Sequence, residues 1–575
     1  MRSDRYSRRE FMGLTGTGLA GAVGGSLLTP TGAEASLPAP EDPDLVVLNA
    51  NVHTVDPLTP TAEAFAVKNG RFVAVGTTED ISGLAGPGTR TVNVGRMTIV
   101  PGFIDTHNHA PGTTLLYEVL VGNPFEVEFV TIASIIEKLR ERARQTPPGQ
   151  WVTGYFHDDT KVRDGRLITM QDLDQVSRDH PVVVQHRGGH TSFYNGKAFE
   201  MAGVNDDTPD PPGGTFDRDV RGRLDGRVTD RARGAFNGVG GRPVYTEAEA
   251  RQRSLAGLAH ISKEFVRYGV TSVHHEGGDL ASLQQVRANG DLLHRVSYEV
   301  SGRVLEAMIE TGIRTGFGDE WIRLGATSEH TVDGSFSERT MALEDPYPES
   351  EPPYRGNVTT SQEDLDDWVE RVHRSGIQVN CHANGEVAID MMLTSVERAL
   401  RADPRPDTRP KITHCTLIDD DLVRRMAAVD AVPSLFTTYA YYNSDKFAFY
   451  GEALMRRAMA FRTLLDAGIH AAAGSDFSPG PFAPMMAIQG MVTRTGWNGE
   501  TWGANQRVSV DEAVRINTIN GAYNSHEESV KGSITPGKLA DFVVLAEDPY
   551  TVDAETIKDI DIVRTVVGGT TVYEA

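Results

Sequence analysis

Pro101-Gly102-Phe103-Ile104-Asp105-Thr106-His107-Asn108-His109 is the stretch on which the reading of this chain turns. A short apolar run, opened by Pro-Gly, ends on two histidines one residue apart. Neighbours on an extended strand point to opposite faces, so His107 and His109 share a face and both rings can reach one metal ion. Taken alone, such a pair reads equally well as two satisfied histidines, so its weight depends on residues farther along the chain.

Downstream, strand-like runs alternate with helix-length segments. Eight are counted, at residues 103–109, 270–276, 295–300, 322–329, 377–382, 411–414, 431–436 and 470–476. That alternation predicts an α/β fold, a (β/α)8 barrel whose active site lies at the C-terminal strand ends. The first connection, 110–262, is far too long for one crossover. It reads as an insertion with its own helices and a strand near 182–185, placed to cover the barrel mouth. His382 closes the fifth run, His414 the sixth and Asp476 the eighth. Each alone has an ordinary reading as a core histidine or a turn-forming Asp. Their coincidence with His107 and His109 on counted strand ends points to a divalent metal site, zinc first, with iron, manganese and cobalt open.

Both chain ends are rich in short β-type runs. Residues 44–100 and 530–575 are expected to form one small β-sandwich, leaving 101–529 as the barrel. Residues 1–35 carry Arg2, Arg5, Arg8 and Arg9, an apolar Gly-rich stretch and Ala33-Glu34-Ala35, the pattern of an export signal. Ser7-Arg8-Arg9-Glu10-Phe11 resembles a twin-arginine motif, which implies a periplasmic or extracellular protein. No other apolar run reaches the roughly 18 residues of a membrane span. The net charge of −23 argues against a nucleic-acid partner and leaves a small-molecule substrate. The chain has two cysteines, Cys381 and Cys415, which excludes a disulfide scaffold. Each neighbours a candidate ligand, so if the histidines face the barrel centre the cysteines face the outer helices.

The 101–109 stretch, His382, His414, Gly474-Ser475-Asp476, Asp333-Gly334-Ser335 with Arg339-Thr340, and the segments 67–76 and 536–545 together resemble the amidohydrolase superfamily. More closely they resemble its amidohydrolase-3 branch, which includes N-substituted formamide deformylases. The resemblance runs from about Asp44 to the C-terminus. It implies an enzyme that hydrolyses a C–N bond of an amide or N-substituted formamide by metal-activated hydroxide. Asp476 would accept the proton of the attacking water, and the metal with His414 or His190 would polarise the carbonyl.

The departures also matter. Members often carry a lysine shortly before Asp-Gly-Ser, whose carbamylated form bridges two metals. Here Glu329 falls at about that position and would supply the carboxylate unmodified. With Glu329 as ligand the site holds two ions; with Glu329 one residue out of register, as a surface acid, it holds one. Gly188-Gly189-His190 replaces the branch's Asp-Gly-His, with His190 kept as a substrate contact. His274-His275-Glu276 is foreign to the usual pattern, and His275 is taken from it as a second substrate contact, beside the reading as a polar strand end. His157-Asp158-Asp159 reads as loop. Two other readings stand beside the amidase: an esterase, lactonase or lyase on the same metal barrel, and an exported binding protein without catalysis.

Overall fold

The computed structural model describes residues 42–276, 279–348 and 350–575. The export-signal segment at 1–35 lies outside the described residues. All eight predicted runs contain a strand: β1 (Phe103–Asn108), β2 (Val270–His275), β3 (Arg295–Val300), β4 (Ile322–Thr327), β5 (Asn380–Ala383), β6 (Lys411–His414), β7 (Val432–Phe436) and β8 (Ala472–Gly474). Apart from Ile322 and Arg323 at the start of β4, they are buried on both faces, as parallel strands flanked by helices must be.

The strands pair in parallel, β4-β3-β2-β1 in one sheet and a two-residue strand, His330–Thr331, with β5-β6-β7-β8 in another. Both seams between the sheets carry backbone hydrogen bonds. Asp476 N donates to His107 O at 2.9 Å, and Thr327 N to Gln378 O at 3.0 Å. The predicted fourth run is too long. Ladder pairing stops at Thr327, and Glu329 sits in the two-residue link before His330–Thr331.

Helices separate the strands: α1 (Glu247–Arg267), α2 (Leu280–Asn289), α3 (Gly302–Thr311), α4 (Gln362–Arg374), α5 (Glu386–Ala402) and α6 (Asp420–Ala428). α4 shows why they form. Ser361 caps it by accepting from Asp364 N, and Leu365, Val369 and Val372 recur at helical spacing on its buried face. Each such side chain contributes roughly 1.5–3 kcal/mol by burial. Cys415 does face outward, its Sγ lying 3.7 Å from Met426 Sδ on α6.

The segment after β1 builds a six-stranded sheet spanning Val119–Leu120 to Leu224–Thr229, of which the sequence predicts only the strand at Val182–His186. Because α1 packs on the parallel sheet, this segment stops short of residue 247 rather than reaching 262. The chain ends form two further sheets, the second of which joins both ends. One holds Leu45–Leu48, Ala64–Lys68, Arg71–Gly76 and Arg90–Asn93. The other joins Asn51–His53, Thr61–Ala62 and Thr98–Pro101 to Phe542–Leu545, Ile562–Val567 and Thr570–Glu574. Phe65 and Phe72 from one pack with Ile99, Phe542 and Val566 from the other in a single apolar cluster.

Candidate metal centre

The local chain path explains how each side chain reaches the strand ends. Asp105, buried on β1, accepts from Ser475 N at 2.9 Å, Ser475 Oγ at 2.6 Å and Asn108 Nδ2 at 2.9 Å, which ties the His107 strand to the Asp476 turn. Asp333 performs the same service between β4 and β5, accepting from the backbone N–H of Ala342, Asn384 and Gly385. So the Asp-Gly-Ser motif is an anchor for loops rather than a ligand. His414, Cys415 and Asp476 carry φ of +76°, +44° and +51°, left-handed conformations that non-glycine residues adopt only where the surroundings enforce them. Those turns bring the two site side chains onto the mouth.

Six predicted ligands come together. Glu329 Oε2 lies 3.5 Å from His107 Nε2, 3.3 Å from His382 Nδ1 and 3.4 Å from His414 Nε2. Asp476 Oδ1 lies 2.9 Å from His109 Nε2 and 3.4 Å from His107 Nε2. The ligand atoms fall into overlapping trios: His107, His109 and Glu329; His107, His414 and Asp476; and Glu329, His382 and His414. Phe436 stacks flat on His414 at 4.4 Å and fixes its ring.

Electrostatics and satisfaction test whether a metal fits. Burial opposes charge on these groups, yet His107 and His382 hold their protons far more tightly than usual, because Glu329 with Asp476, or with Asp333, lies against them. Glu329 is correspondingly held well below the usual carboxylate range by His107 and His382, against the effect of burial. His414 is pushed down to about 4 by burial and by His382. Neither ring nitrogen of His107 nor Glu329 Oε2 has a hydrogen-bond partner, though all are shielded from solvent. Imidazoles and carboxylates packed this closely, with buried atoms unsatisfied, are what divalent cations of the zinc type require.

His190 lies beside the cluster, its ring 4.9 Å from that of His382, and its Nδ1 is fixed by Asp230 Oδ1 at 2.8 Å. His275 is not brought there. It is wholly buried, its ring 5.9 Å from His294 and 6.5 Å from Phe265, on the outer face of β2. Strand alternation sends His274 and Glu276 inward instead, and Glu276 Oε2 reaches 3.8 Å from His107 Nδ1. Burial and Glu329 push Glu276 up to about 7. His157-Asp158-Asp159 is not a loop either. His157 ends the strand Val152–His157, and the two acids enter a buried ionic network with Lys161, Lys446, His186 and Arg339. Those cations already match the acids, so that group offers no spare charge to a metal. Sequence reasoning passes over Glu299 and Lys411 entirely. Their one signal is charge in runs that must be buried on both faces, with Arg295 sharing the run of Glu299.

Parallel sheets ending in a histidine and carboxylate cluster define a metal-dependent hydrolase. Residues 90–573 match the amidohydrolase family, and the chain belongs to it: it is an enzyme, a hydrolase acting on carbon–nitrogen bonds. It is 28% identical over 556 residues to an N-substituted formamide deformylase of Arthrobacter pascens, covering 92% of this chain and 98% of that one. To a putative amidohydrolase of Bacillus subtilis it is 26% identical, covering 89% and 96%. Among solved structures, an uncharacterized metal-dependent hydrolase from Pyrococcus horikoshii superposes with a TM-score of 0.67 at 21% identity, covering 89% of this chain and 99% of that one.

Proposed function

We propose that this protein is an exported amidohydrolase with two divalent ions, zinc first, that cleaves an N-substituted formamide or a related small amide. The observation that carries the reading is Glu329, whose one oxygen Oε2 stands 3.3–3.5 Å from ligand nitrogens of three histidines. His107, His109 and Asp476 would hold one ion, His382 and His414 the other, with Glu329 between them. When bound, such ions acidify water and polarise the scissile carbonyl.

The chain's own groups do the rest. Asp476, kept ionised by its histidine neighbours against the cost of burial, is placed to take a proton from the attacking water and pass it to the leaving nitrogen. His190 is held at Nδ1 by Asp230, which leaves its other nitrogen to contact the substrate. The formamide assignment leans on the named relative from Arthrobacter pascens.

The same proposal takes the two parallel sheets as a closed (β/α)8 barrel, supported by the hydrogen bonds across both seams. It takes 44–100 with 530–575 as a β-sandwich domain, and 101–529 as the catalytic barrel carrying the insertion. Residues 1–35 would direct export by the twin-arginine route; replacing Arg8 and Arg9 by Lys should retain the protein in the cytoplasm, and unchanged export would remove that part.

The decisive experiment joins metal analysis of the purified protein to a screen of N-formyl and N-acyl amines. Two ions per chain, amine released with the acid, and activity lost on chelation and restored by metal are expected. Acid released without amine, or full activity after complete chelation, would overturn the reading.

A further inference from the structure

Below His107, on the side away from Glu329 and Asp476, a buried ion pair crosses the space between the two parallel sheets, and the proposed function gives it no role. Glu299 rises from β3 and Lys411 from β6; both side chains are almost wholly buried, and Lys411 Nζ bonds to Glu299 Oε1. Lys411 Nζ also donates to the carbonyl of Thr106 at 2.5 Å, on the backbone that carries His107. One Glu299 oxygen is thereby fixed. The other, Oε2, has no hydrogen-bond partner and lies 3.5 Å from His107 Nδ1, itself unsatisfied.

An imidazole that binds a metal through one nitrogen carries its proton on the other, and that N–H needs an acceptor if the ring is to keep tautomer and orientation. His107 Nε2 faces the ligand cluster, so Nδ1 must be the protonated atom. Two acceptors stand near it. Glu276 Oε2 is farther, at 3.8 Å, and already accepts from Glu329 N at 3.3 Å. Glu299 is nearer and anchored. A buried ion pair is poor evidence of stabilisation by itself, since the loss of solvation offsets the attraction. Its position, with one carboxylate oxygen anchored by lysine and the other directed at a ligand, gives it a specific use.

We propose that Glu299, anchored by Lys411, is the positioning residue that fixes His107 as the Nδ1–H tautomer and so sets the affinity of the metal held by His107, His109 and Asp476. The inference rests on the two-ion reading above. The bond from Lys411 to Thr106 O also steadies the β1 backbone that carries His107.

The test uses zinc-loaded, purified full-length protein. Glu299→Gln alone leaves Lys411 charged and unpaired, so the informative variant is Glu299→Gln with Lys411→Met, which removes both charges at similar volume. Zinc affinity at each site is read by chelator competition. The double variant should bind the His107 ion roughly 10- to 100-fold more weakly, the range such supporting partners govern, while the His382–His414 ion changes less than about threefold. Glu276→Gln should leave both within about threefold. Nitrogen-15 histidine spectra of the zinc-loaded wild type should show His107 protonated at Nδ1, a readout that needs no variant to fold. Unchanged affinities in a folded double variant, equal weakening of both ions, or a wild-type His107 protonated at Nε2 would overturn the proposal. A wild type that binds no zinc would instead fail the two-ion reading.

Discussion

At the residue scale, the proposed function gives Glu329 and Asp476 different work although both are buried carboxylates among histidines. Glu329 is shared by three imidazoles, so Glu329→Gln, which keeps shape and removes charge, should cut metal content from two ions to one and lower turnover at least about 100-fold. Metal analysis beside amine release checks it; two tightly held ions in the variant would sink the bridging role. Asp476→Asn should keep the fold and lose about 10²- to 10⁴-fold in rate, the range of a positioned proton acceptor, with a smaller effect on KM. Both residues are legible in the sequence because they close strands, or nearly so, in a counted series. His275 misleads for the converse reason. Three polar residues end β2, and choosing among them by type rather than by alternation selects the one facing Phe265 and His294. Glu299 and Lys411 carry no motif, and only the partner across the sheets gives either of them meaning.

At the scale of elements, the insertion is fastened to the rest of the chain by buried charge. Asp158 bonds Lys161 at 3.2 Å and Lys446 at 3.0 Å, and these lysines hold its carboxyl well below the usual range although burial would raise it. The folded pKa is therefore lower than the unfolded one, near 3.9. Such a group contributes its full stability above about pH 4, and that contribution disappears as pH falls through the folded value. Asp158→Asn should accordingly destabilise the protein by about 3–5 kcal/mol near neutrality, because buried Lys446 loses its carboxylate and Lys161 keeps only Asp445. Below about pH 4 the gap between variant and wild type should narrow, closing only as pH falls through the folded value. Urea unfolding at pH 7 and pH 3 checks both parts, and a gap that stays constant or widens in acid would refute the assignment. The parallel strands are readable from short Val, Ile and Thr runs. The insertion's sheet is not, because strands such as Phe216–Arg218 and Leu224–Thr229 are short or broken up by charge and glycine, and because the buried network reads on paper as a solvated loop.

Across the whole molecule, the candidate ligands span residues 107 to 476, and the flanking sheets join strands from residue 45 to residue 574. Both arrangements close very long loops, so each should tie the folding of distant segments together. A metal bound only by the folded arrangement adds stability that grows with the logarithm of its free concentration, about 2.7 kcal/mol at 100 times Kd. Stripping the ions should therefore lower the melting temperature, and titrating zinc back should raise it continuously past the concentration that saturates activity. The slope belongs to ligands that unfolding separates, so Glu329→Gln should flatten it. A substitution in the terminal sheets, such as Tyr573→Ala, should lower the melting temperature and leave the slope unchanged. Scanning calorimetry across a buffered zinc series separates these outcomes. A melting temperature independent of zinc in the wild type would mean that the histidine cluster is not where folding and metal binding meet, and a flattened slope in Tyr573→Ala would mean that the terminal sheets are part of that same cooperative unit.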